Sequence, residues 1–141
     1  MATSDRSRAR ELALQVLYAR EMGNGASDEL FDELCHEAPL DENGLTYARA
    51  LVAKTTEQAE NTDQQIAELA DNWKLERIAL VDRLILRMAM TELREMADVP
   101  VKVVLNEAIE LAKRYSTASS SAFVNGLLDA FIKNSPDRFR V

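Results

Sequence analysis

The chain has 141 residues, a net charge of −7, 47% apolar and 6% aromatic residues, four glycines and three prolines. That length suits one domain or two small lobes burying roughly 70% of the unfolded surface, with no cofactor needed to hold them together. Punctuation this sparse argues against a sandwich or barrel, the single Cys35 excludes an internal disulfide, and no run reaches the roughly 18 apolar residues of a membrane span or forms a signal peptide. The expectation is an all-α protein of the cytoplasm with no membrane partner.

The charge is unevenly spread. Residues 1–20 carry +2, residues 21–72 carry −11 and residues 73–141 carry +2. A polyanion could therefore meet the two ends, while the acidic middle reads first as a solubilising surface.

Residues 5–22 read as a first helix with Ala9, Leu12, Ala13, Val16 and Leu17 on one stripe. Arg6, Arg8 and Arg10 surround its start, where the helix dipole and free N–H groups favour phosphate; the alternative is a solvated basic tail. Gly23-Asn24-Gly25 ends it, and Ser27 opens a short second helix with Leu30, Phe31 and Leu34 inward. Cys35 and His36 are adjacent in that helix, but no further Cys or His exists to complete a zinc set, so no metal is expected. After a turn over 39–44, residues 44–60 form a third helix through Leu45, Ala48, Leu51, Val52 and Ala59. Thr62 and Gln65 form a capping-box pattern that opens a fourth, striped by Ile66, Leu69, Ala70 and Trp73, with Trp73 read as a core anchor between two halves.

The fifth helix, about 76–95, is apolar on nearly every side, so it should be central and surrounded. Asp82, Arg83 and Arg87 interrupt it, and each must reach the surface or find a partner. Asp98 and Pro100 start a sixth helix with Val101, Val104, Leu105, Ala108, Leu111, Ala112 and Tyr115 on one face. The serine run 116–121 breaks it and offers N-caps to a seventh, striped by Phe123, Val124, Leu127, Leu128 and Phe131. Gly126 sits inside that last helix at a cost of about 1 kcal/mol against Ala, which a close helix contact or an approaching ligand would justify. Pro136 begins a short tail.

An enzyme would need a nucleophile, an acid/base pair, a metal or a phosphate-cradling loop, and one His, one Cys and no Gly-rich turn supply none of these, so no catalytic site is expected. Three separated segments instead resemble one family. They are Arg8-Ala9-Arg10-Glu11-Leu12-Ala13-Leu14-Gln15-Val16-Leu17-Tyr18, the stretch from Asp82 to Ala89 with Glu92-Leu93, and PVKVVLNEAIELAK followed by FVNGLLD within 100–129. In this order they resemble the NusB family of bacterial transcription antitermination factors, with residues 21–72 weakly matched.

The resemblance implies about seven helices in two packed helical bundles: an N-terminal lobe over about 1–73, a C-terminal lobe over about 74–135 and a tail at 136–141. It implies a protein that binds the box A element of nascent ribosomal RNA together with a small-subunit ribosomal protein, NusE, and helps RNA polymerase read through terminators. Carried onto this sequence, the RNA contacts fall on Arg6, Arg8, Arg10, Ser119, Ser120, Phe123 and Asn125, and the partner-facing acid falls on Asp82. Departures from the family pattern are Ser7, where a basic residue is common, and Ala118, Ser119 and Ser120, where acids often precede FVNG. The alternative is a helical adaptor that binds only protein.

Overall fold

A computed structural model describes residues 5–23, 27–37, 39–70 and 75–135. Trp73, Asn24, Gly25 and the tail at 136–141 lie outside the described residues. The described chain is all-α: α1 (Asp5–Glu21), α2 (Ser27–Glu37), α3 (Glu42–Glu57), α4 (Ala59–Leu69), a single 3-10 turn at Leu75–Arg77, α5 (Leu80–Glu95), α6 (Val101–Tyr115) and α7 (Ala118–Lys133).

The chain divides into two compact units, Met1–Lys54 and Thr55–Val141. In the first, α1 packs on α2, with Ala9, Ala13 and Val16 fully buried along the stripe that the sequence shows. Asp41 caps α3 by accepting the Gly44 N–H at 2.7 Å, and a Cβ on residue 44 would come within 3.2 Å of that carboxylate. Gly44 thus leaves room for its own cap. Asp5 hydrogen-bonds Asp41. The Gly44 amide and this bond hold Asp41 below the usual carboxylate range, while the same bond and the neighbouring charge push Asp5 above it.

The second unit is built around α5, which packs against α4, α6 and α7. Leu84, Ile85, Leu86 and Met90 are at most 1% exposed, and burying each such side chain contributes about 1.5–3 kcal/mol. α6 and α7 form a hairpin joined through Ser116 and Thr117, and Thr117 caps α7 by accepting the Ser120 N–H at 3.2 Å.

The division falls at residue 54, and α4 is fastened to α5 in the second unit. Arg87 donates to both Asp63 oxygens, at 2.7 and 2.6 Å, and Arg94 donates to Gln58, Thr62 and Gln65. For the same reason Thr62 and Gln65 are not a capping box: α4 begins at Ala59, and both side chains are engaged by Arg94.

Gly126 needs no close helix contact. It is exposed, and a Cβ there would meet nothing within 4 Å. Gly126→Ala is therefore expected to raise the stability of the free protein by about 0.5–1 kcal/mol, read as a higher urea midpoint at unchanged slope.

Candidate nucleic-acid and partner interface

Residues two apart on a helix lie about 200° apart around its axis, whereas residues four apart share a face. The three arginines of α1 accordingly do not form one patch. Arg6 is exposed, and its guanidinium lies 4.4 Å from the centre of the Tyr47 ring on α3. Arg10, one turn on, lies 5.7 Å from the same ring and is only 2% exposed. Arg8, on another side of the helix, is half-buried and donates to the Pro39 carbonyl at 2.7 Å. The structure thus differs from the expectation for Arg10: its guanidinium is taken up in the interior and presents no donor at the surface. Tyr47 was not singled out from sequence, since only the tertiary approach of α1 to α3 reveals it.

In the second unit, Asp82 does not stand at an exposed edge of α5. It is 6% exposed, in the first turn of the helix, where the dipole and free N–H groups favour a negative charge. Its Oδ2 accepts the Ser120 hydroxyl at 2.8 Å, which ties the start of α5 to the start of α7. Ser120 is itself buried and lies 2.9 Å from the Ser116 hydroxyl and 3.0 Å from that of Thr117. Ser120 is therefore a support for Asp82 rather than a surface contact.

The other oxygen, Oδ1, is buried and has no hydrogen-bond partner among the described residues. A buried carboxylate oxygen in this condition carries a desolvation penalty that an incoming donor would relieve.

Asp82 lines a cavity of about 380 Å³ together with Arg77, Ile78, Ala79, Ser119, Ser120 and Phe123. Phe123 is half-buried, so it is neither wholly core nor a free platform. Ser119 is exposed, and Asn125 is exposed outside this lining. The cavity thus gathers four of the residues singled out from sequence, Asp82, Ser119, Ser120 and Phe123, and adds Arg77, Ile78 and Ala79. These three lie at and just after the end of the 3-10 turn, where the sequence pattern suggests unbroken helix. Ala79 is extended (ψ 141°), which breaks the helix before Leu80 and lets Arg77 to Ala79 border the cavity.

Asp82→Ala removes the acceptor for Ser120 and is expected to lower stability by about 1–2 kcal/mol. Asp82→Asn keeps an acceptor at nearly the same place, and its urea midpoint should fall much less.

Residues 7–133 match the sequence profile of the NusB family. The transcription antitermination protein NusB of Salinibacter ruber is 44% identical over 140 residues, covering 98% of this chain and 87% of that one. The solved structure of Thermotoga maritima NusB superposes with a TM-score of 0.85 at 32% identity over 100% of both chains. A structure of the antitermination factors NusB and NusE in complex with double-stranded RNA superposes with a TM-score of 0.82 at 28% identity, over 92% of this chain and 97% of that one. With the helical fold, the three ordered motifs and a match over nearly its whole length, the chain belongs to the NusB family of transcription antitermination proteins.

Proposed function

We propose that the protein binds the box A element of nascent ribosomal RNA together with the ribosomal protein NusE, and so promotes read-through by RNA polymerase. Membership of the family supports this reading, as does the related NusB that was solved with NusE and RNA. The observation that carries it is the half-satisfied Asp82 carboxylate in a cavity bordered by an aromatic ring, an exposed serine and an arginine. Such a cavity accepts a cationic or amide donor from a protein partner, and its rim offers Phe123 to an unpaired base and Ser119 to a phosphate or sugar. Asn125, exposed on the same helix, can donate and accept toward a base edge. Asp82→Asn should weaken NusE binding about tenfold or more, because truncating one member of a buried charge-assisted pair mainly accelerates dissociation.

The phosphate contacts are assigned to Arg6 first and to Arg8 second, while Arg10 acts inside the fold. For single strands the logarithm of affinity falls against the logarithm of salt by roughly 0.7 per neutralised phosphate. Arg6→Ala should therefore flatten that slope by about 0.7 and weaken box A and scrambled RNA alike, since phosphate contacts carry no sequence information. Arg10→Ala should leave the slope unchanged and lower the thermal midpoint. Titrating single-stranded box A RNA and a scrambled control, with and without NusE, tests the whole reading. Absence of any RNA retention at moderate salt in both arms would replace it with a protein-only helical adaptor.

A further inference from the structure

We infer that Tyr47 is a positioning residue for RNA binding: its ring holds the Arg6 guanidinium in the orientation in which it meets a phosphate. The inference rests on the assignment of Arg6 to the RNA surface. Arg6 and Arg10 are one turn apart on α1 and both bring their guanidinium to the same ring, at 4.4 and 5.7 Å from its centre. Arg10 is buried and fixes one side of the arrangement, while Arg6 is exposed at the other.

A guanidinium is planar, with its N–H donors directed outward in that plane and its faces weakly hydrated. Stacking on an aromatic ring therefore occupies a face and leaves the in-plane N–H edge directed away from the ring, the edge that pairs bidentately with phosphate oxygens. An arginine free in solvent would lose rotamer freedom on capturing the phosphate, whereas one whose guanidinium already rests over a ring, as that of Arg6 does at 4.4 Å, loses less. Tyr47 is itself held in place: the Gly44 N–H to Asp41 cap fixes the start of α3, and the Arg8 bond to the Pro39 carbonyl ties α1 to the chain just before it.

The test measures the affinity of the full-length protein, with NusE, for labelled single-stranded box A RNA. Tyr47→Leu should weaken binding about two- to tenfold, the range expected when one side chain must be ordered on binding instead of beforehand, while Tyr47→Phe, which keeps the ring, should bind as the unaltered protein does. In an Arg6→Ala background Tyr47→Leu should have no further effect. Arg6→Lys, which keeps the charge without the planar stack, should lose affinity when Tyr47 is present and lose little more when Tyr47 is Leu. Thermal midpoints establish that each variant compared is folded, and the Phe and Lys variants carry the comparison if Tyr47→Leu unfolds. An equal loss for Tyr47→Leu with and without Arg6 would overturn the inference by showing that Tyr47 acts through the fold. If Arg6→Ala weakens binding and Tyr47→Leu does not, the positioning role fails while the RNA surface stands. If Arg6→Ala is without effect, the assignment of Arg6 fails and the role of Tyr47 falls with it.

Discussion

The second unit depends on one constraint: α5 is too apolar to face water and yet carries charge. Ten of its sixteen residues are buried, so α4, α6 and α7 surround it, and Asp82, Arg87 and Arg94 find their partners on or beside those neighbours. These partners differ along the helix. At its start Asp82 sits where the dipole tolerates an anion and takes a hydroxyl from α7; at its middle Arg87 forms a bidentate pair with Asp63 of α4; at its end Arg94 is surrounded by neutral acceptors of α4 and by Gln58 just before it. Each of these contacts fixes rotation and register as well as contributing energy, because a guanidinium fork or a hydroxyl bond tolerates little displacement.

Helix number and type were legible in the sequence because the apolar stripes of α1, α5, α6 and α7 follow the helical period closely, and the buried residues fall on them. Boundaries were less so, and the reason is particular. Thr62 and Gln65 match the spacing of a capping box, but spacing cannot say whether a hydroxyl and an amide will serve their own backbone or an arginine thirty residues away. The break before α5 was hidden in the same way: Ile78 and Ala79 continue an apolar run, and only the extended backbone at Ala79 separates the 3-10 turn from the helix.

Part of the cavity lining was legible as residues and not as an arrangement. Asp82, Ser119 and Phe123 were singled out and do border one cavity, yet the link between Asp82 and Ser120 spans thirty-eight positions and no local pattern announces it. The arginines of α1 are the converse case. Their spacing of two residues already implies that Arg8 lies away from the face shared by Arg6 and Arg10, so a single basic patch was never available to them. What the spacing could not show is that the shared face meets Tyr47 and that Arg10 is buried there.

Counting charges therefore overstates what the start of the chain can offer a polyanion. Of three arginines in five residues, one is buried, one is bonded to a main-chain carbonyl and one is exposed. Asp82 shows the opposite economy. A carboxylate with both oxygens satisfied internally would make the free protein more stable, since buried polar atoms without partners are rare and costly. Here one oxygen is anchored by Ser120, which fixes the direction of the other. Under the proposed function, the stability forgone in the free chain becomes directional affinity in the complex, because the donor that completes Asp82 must arrive from outside along the line that Ser120 has set.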